Sequence, residues 1–207
     1  MSPVLALLLP AMLMVSGPGT PAAAARAPLG SSRALLAGLR SSGRAEAVLR
    51  LSRLDPLSGR TSVARGRLIL ELPRFARLEL EDGQRLTLRA DGGDWLQPAT
   101  RQLVRAGAGS AAGALVWWGA LLDPQATGVE ERKVAPRQYV LTHPGVGEAQ
   151  AQRIELGVDG LPRRLTVEAS PGERVEYRLT RWRFMRSRGP ADFVLEAPAG
   201  FEVVEMP

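Results

Sequence analysis

The feature that most constrains this chain is an alternation of apolar and charged side chains with a period of two, which returns in segment after segment between residues 45 and 184. Ala45, Ala47, Leu49 and Leu51 alternate with Glu46, Arg50 and Ser52, with Val48 out of step. Leu68, Leu70 and Leu72 alternate with Arg67 and Glu71. Ala76, Leu78 and Leu80 alternate with Arg77, Glu79 and Glu81, and Leu86, Leu88 and Ala90 with Arg85, Thr87 and Arg89. The second half repeats the pattern in Ile154, Leu156 and Val158, in Leu165, Val167 and Ala169, in Val175, Tyr177 and Leu179, and in Trp182 and Phe184. Successive side chains on a strand point to opposite faces, so each segment is a strand with one apolar and one charged side. Asp55-Pro56, Ser58-Gly59, Asp82-Gly83, Asp91-Gly92-Gly93, Asp159-Gly160 and Pro171-Gly172 separate the strands with tight-turn chemistry. Short strands joined by tight turns make an antiparallel meander, here of ten or eleven strands in a mainly β domain with two or three helices.

Two segments depart from the period. Leu35, Leu36 and Leu39 have helical spacing, with Ser31 and Ser32 available as N-caps and Gly43 as a stop. From Gly107 to Asp123 the chain is apolar nearly all round, with Leu115, Val116, Trp117, Trp118, Leu121 and Leu122. A helix of that character is buried or faces an apolar ligand. Pro124 ends it, and the polar residues 125–137 read as a loop.

Residues 1–25 carry no charged side chain: an apolar run from Val4 to Val15 is followed by Gly17-Pro18-Gly19 and by Ala22 to Ala25. This is the pattern of a secretory signal peptide cleaved after Ala25, and a run of about 12 residues is too short to span ~30 Å of hydrocarbon. No cysteine follows the site, so the mature chain, 26–207, is expected in the periplasm without a lipid anchor.

The same absence of cysteine excludes disulfides, thiol nucleophiles, Fe–S clusters and Cys/His zinc sites, and His143 is the one histidine, in a Thr-His-Pro-Gly turn. No phosphate loop, nucleophile elbow or dinucleotide fingerprint is present, so the chain reads as a non-enzyme without metal or cofactor. The formal charge is +6, from 27 arginines and lysines against 21 acidic residues. Export and the glutamates interleaved among the arginines weigh against nucleic acid, and leave a solvated sheet face or attraction to anionic headgroups. The informative quantity is the apolar face itself. Four tryptophans and many leucines point to one side of a long sheet, and two short helices are all that cover it. Either a filled core or a ligand cavity follows.

The order of the motifs resembles the LolA family of periplasmic lipoprotein carriers. It has a helix after a signal peptide, then Leu72-Pro73-Arg74-Phe75-Ala76-Arg77-Leu78, then Asp91-Gly92-Gly93-Asp94-Trp95-Leu96-Gln97-Pro98 with Gln102 beyond, then Asp159-Gly160-Leu161-Pro162, and last Phe193 and Pro198-Ala199-Gly200-Phe201-Glu202-Val203. The resemblance implies an unclosed, strongly curved antiparallel half-barrel with helices as a lid over an apolar cavity. It also implies that Leu70, Leu78, Leu80, Leu86, Leu88, Trp95, Leu156, Leu165 and Val167 line that cavity for acyl chains, and that Trp117, Trp118 and Leu121 belong to the lid. The family's arginine before the proline is Leu72 here, which leaves Arg77 as a stand-in for the lid latch. The implied function is a monomeric carrier that shuttles acylated lipoproteins or other lipids from an inner-membrane donor complex to an outer-membrane acceptor. Two other readings stay open: a sensor on the same scaffold, binding a lipidated ligand and an envelope-stress signalling partner, and an enzyme acting on lipid or envelope polymers, centred on His143 or an Asp pair.

Overall fold

The computed structural model describes residues 29–107, 118–119, 121–123, 128–142, 151–170 and 173–206. The expected signal segment 1–25, Trp117 and His143 lie outside the described residues. Twelve strands form one sheet. After helix α1 (Arg33–Ser42) come β1 (Gly43–Leu54), β2 (Thr61–Glu71), β3 (Phe75–Leu80), β4 (Arg85–Arg89), β5 (Gly92–Gln97) and β6 (Gln102–Gly107). There follow β7 (Glu130–Ala135), β8 (Gln138–Thr142), β9 (Gln152–Leu156), β10 (Pro162–Ser170), β11 (Glu173–Arg186) and β12 (Glu202–Met206). Their order in the sheet is β12-β6-β5-β4-β3-β2-β1-β11-β10-β9-β8-β7. The two ends do not meet, so the sheet is an open half-barrel and not a closed barrel.

Two meanders, β1 to β6 and β7 to β11, join back to back through the antiparallel pair β1–β11. That arrangement dictates two long crossings. From β6, near one edge, the chain must reach β7 at the other, and this connection carries helical residues Trp118, Gly119, Leu121 and Leu122 across the apolar face. From central β11 it must reach β12 beside β6, and this second connection runs over the charged face through a 3-10 turn, Pro190–Phe193.

The strand count is one or two higher than the sequence predicts. Residues 130–135, read as loop, form β7; an edge strand with one neighbour needs no apolar alternation, and Glu-Glu-Arg-Lys-Val-Ala has none. The last strand is also not part of a meander, for β12 lies parallel to β6.

Val48, out of step in the sequence, sits on the outer face, 45% exposed, between buried Ala47 and Leu49. The pairing of β1 with β11 slips between Glu46/Arg183 and Val48/Thr180, which places one extra residue in β11. Arg181 there has φ 56°, as a bulge requires. The bulge explains why the apolar positions of β11 change parity, from Tyr177 and Leu179 to Trp182 and Phe184.

α1 lies on the apolar side with Leu35, Leu36 and Leu39 buried. Gly38 makes this approach possible, because a Cβ there would stand 2.2 Å from the ring of Phe184. Gly43 (φ 96°) ends the helix, its amide bonded to the Leu39 carbonyl.

The outer face is fastened by ions. Arg44, 2% exposed, pairs with Glu46 at 2.9 Å, with Glu71 at 3.2 Å and with Asp192 of the 3-10 turn. Glu71 also accepts the Arg188 amide at 3.1 Å and the Ser187 hydroxyl. Farther along, Arg89 binds Asp94 at 2.8 Å and the Phe193 carbonyl at 2.9 Å, and Asp94 accepts the Leu195 amide at 3.0 Å. Phe193 packs on Phe75 with ring centroids 5.2 Å apart, and Leu195 on Leu96 and Leu103. The Asp-Gly-Gly-Asp motif therefore serves as an anchor for the C-terminal strap.

Removing Arg44 leaves Glu71 buried without its cation, so Arg44→Ala is expected to destabilise the chain by about 3–5 kcal/mol in urea unfolding. The hydrogen bond from Arg44 holds the Asp192 carboxyl below its ordinary 3.8. A depressed carboxyl stabilises the fold above the unfolded value and loses that effect as pH falls through the folded one. The stability difference between wild type and Asp192→Asn, about 1–3 kcal/mol at pH 7, is expected to shrink as the pH is lowered below 3.8.

Candidate functional site

The apolar residues of both meanders, of α1 and of the crossing segment form one continuous cluster. It takes Leu68 and Leu70 from β2, Leu78 from β3, Leu86 and Leu88 from β4, Leu141 from β8, Ile154 and Leu156 from β9, Leu165 and Val167 from β10, and Tyr177 and Leu179 from β11. Of the nine residues expected to line a cavity, Leu70, Leu78, Leu86, Leu88, Leu156, Leu165 and Val167 are buried in this cluster. Leu80 and Trp95 are half-buried at its margin, with the Trp95 indole N–H donating to Gln84 Oε1 at 3.3 Å. The face is kept narrow in places by small residues, Ala45, Ala47, Gly66, Ala76 and Gly93. Any Cβ at Gly66 would lie 1.9 Å from the Glu79 carbonyl oxygen.

Two pieces of chain cover this face. The first is α1. Its entrance is clasped from the far edge of the sheet by Glu131 of β7, whose carboxylate accepts the Gly30 amide at 2.7 Å and the Ser31 amide at 2.9 Å. The second is the crossing segment, where Trp118, Leu121 and Leu122 are buried and Trp118 meets Tyr177 edge to face at 6.0 Å. Burial pushes the Tyr177 hydroxyl up to about 12. Gly119 packs on Leu88, and the Arg74 guanidinium would lie 3.7 Å from a Cβ placed there.

Arg74 is thus the arginine next to the crossing segment. Arg77, read as a stand-in latch, points to the outer face, where it donates to the Asp192 carbonyl at 2.6 Å and pairs with Glu79 at 2.6 Å. Sequence reasoning passed over Arg74 because it sits in the turn after β2, where the alternation that assigns faces is interrupted. Glu131 was missed because β7 was not recognised as a strand.

Polar groups are rare inside and several stand alone. The Ser31 hydroxyl, the Arg74 Nε, the Trp118 indole N–H and both amide atoms of Gln152 are buried and find no hydrogen-bond partner among the described residues. Gln152 carried a signal in the sequence: it keeps the parity of Ile154 and Leu156 and so had to face the apolar side. Two surface clefts, of about 170 and 350 Å³, open on the β7–β10 side of the sheet. Their linings mix Glu130, Arg132, Arg153, Glu155 and Arg164 with few apolar residues, so neither suits a hydrocarbon guest. Among the described residues there is no cluster of three metal-ligating side chains, and no helix long and apolar enough to cross a membrane.

A LolA superfamily protein of Nitrosomonas europaea aligns with a TM-score of 0.42 at 10% identity, over 79% of this chain and 97% of that one. A putative outer membrane lipoprotein-sorting protein domain of Vibrio parahaemolyticus aligns at 0.45 and 12%, over 78% and 94%. An uncharacterised conserved protein of Thermus thermophilus aligns at 0.47 and 14%, over 85% and 99%. No family model and no curated protein matches the chain. At these values the likeness carries no argument, and the functional reading rests on the geometry of the apolar face.

The clasp on α1 is open to test. Glu131→Ala is expected to cost about 1–3 kcal/mol and to accelerate amide exchange at Leu35, Leu36 and Leu39 while leaving β1 and β11 protected.

Proposed function

We propose that this protein is a non-enzymatic carrier of acylated molecules, holding their hydrocarbon chains between the apolar sheet face and the two covering pieces. The observation that carries the reading is the construction of the cover. Among the described residues, an apolar face shared by both meanders is shielded by a ten-residue helix and by Trp118, Leu121 and Leu122 of the crossing segment, not by a second sheet. Either piece can lift without unpairing a strand, and the face it exposes would then take up chains at about 0.8 kcal/mol per buried CH₂. Loading exchanges the buried side chains of the cover for the guest, and release reverses the exchange. A membrane partner that favours the open form would shift the balance.

On this reading Leu70, Leu78, Leu80, Leu86, Leu88, Trp95, Leu156, Leu165 and Val167 form the wall, and Trp118 and Leu121 belong to the lid. Arg74 takes the latch position in place of Arg77. Residues 1–25 would export the chain, and 26–207 would work in the periplasm between an inner-membrane donor and an outer-membrane acceptor. The cargo would be lipoproteins or other acylated lipids.

Protein purified without detergent is expected to carry acyl-bearing ligand in native mass spectra. Leu88→Glu and Leu80→Glu should abolish that mass while leaving the far-ultraviolet circular dichroism of the sheet intact. Bare wild-type protein that also fails to take up an apolar fluorescent probe would defeat the carrier reading.

A further inference from the structure

Along the strands themselves the polar side chains of the apolar face are not scattered evenly; the unpaired Arg74 Nε belongs to the turn after β2, next to the crossing segment. On β2, β3 and β4 the inward positions are leucine, alanine and glycine. On β9 the inward series Gln152, Ile154, Leu156 begins with an amide that is fully buried. Its strand neighbours are Leu141 on β8 and Val167 on β10, both apolar and both buried. Neither its oxygen nor its nitrogen meets a partner among the described residues. Interchanging the two atoms changes nothing, since both are orphaned. A buried amide left unpaired is costly, and an apolar side chain of similar size would remove that cost. The same half of the face holds a second unpaired group, the Ser31 hydroxyl, at the entrance of α1 over Tyr139.

We propose that Gln152 is the anchor for the polar linkage of the bound acyl molecule, so that the guest lies with its tails toward β2–β4 and its linkage at β9. This rests on the carrier reading and adds the class of ligand. An amide with a free donor and a free acceptor is matched by a neutral linkage that presents a carbonyl next to an O–H or N–H, as acylglycerols and acyl amides do. A carboxylate offers acceptors alone and leaves Gln152 Oε1 unmatched. A methyl ester likewise offers acceptors alone, and a plain hydrocarbon leaves both atoms of the amide unmatched. The site thus selects neutral acyl linkages that carry an O–H or N–H donor beside the carbonyl over free fatty acids, methyl esters and hydrocarbons.

The test displaces an apolar fluorescent probe from the full mature chain with a monoacylglycerol and with the fatty acid methyl ester of equal chain length, which has the carbonyl and no donor. Wild type is expected to bind the monoacylglycerol about tenfold more tightly than the methyl ester. Gln152→Leu should abolish that preference and raise the melting temperature of the empty protein. Gln152→Met provides a second apolar variant of similar length. Equal binding of the two lipids by wild type, or a preference that survives in both variants, overturns the anchor while the carrier reading stands. If neither lipid displaces the probe, the carrier reading falls and takes the anchor with it.

Discussion

A sheet of twelve strands with one apolar side cannot leave that side in water. At roughly 25 cal/mol for each Å² of apolar surface, exposure of even part of it outweighs the few kcal/mol by which a domain of this size is stable. This chain meets the constraint through its connectivity. Because the meanders β1–β6 and β7–β11 join at their first and last strands, the link between them must cross the sheet from edge to edge. The crossing brings Trp118, Leu121 and Leu122 over the face, and α1 covers what lies beside it. The cover is therefore a by-product of topology, and its described residues belong to connecting chain and one helix.

The two faces are fastened by different physics. Outside, the C-terminal strap is bound by charge and by backbone hydrogen bonds, through Arg44 to Glu71 and Asp192 and through Arg89 and Asp94 to Phe193 and Leu195. Such bonds are directional and break at a definite cost when one partner is lost. Inside, the described residues of the cover are held by apolar contact and by Glu131 on the Gly30 and Ser31 amides. Apolar contact has little directionality, and a hydrocarbon chain can replace it. The outer strap ties the charged face together, and the proposed exchange with a guest would take place on the inner one.

The orphaned amide of Gln152 and the lone groups of Ser31, Arg74 and Trp118 fit this division. A protein that used its apolar face only for stability would have no reason to bury them. Positions that break a local rule without compensation tend to mark sites of function; on the outer face Arg77 and Arg164 each leave one Nε unpaired but are otherwise ion-paired, whereas the Gln152 amide has no partner at either atom.

Much of this was legible in the residues. Alternation assigned the inward side chains of β1–β4 and β9–β11, turn chemistry placed the hairpins, and the spacing of Leu35, Leu36 and Leu39 gave α1, because these signals are local and come from the two backbone periods. An edge strand such as β7 escapes, since a strand with a single neighbour and a solvated side needs no period. The parallel seat of β12 beside β6 escapes because a strand's sequence does not name its partner. The burial of Arg44 had no local sign either: its parity puts it on the charged face, and only the strap returning 148 residues downstream, at Asp192, closes over it. The sequence by itself determined that there would be a long sheet with one apolar face. Which pieces of chain cover that face, and which polar side chains are shut beneath them, was decided only when distant segments met, because burial is a property of the assembled surface and not of the strand.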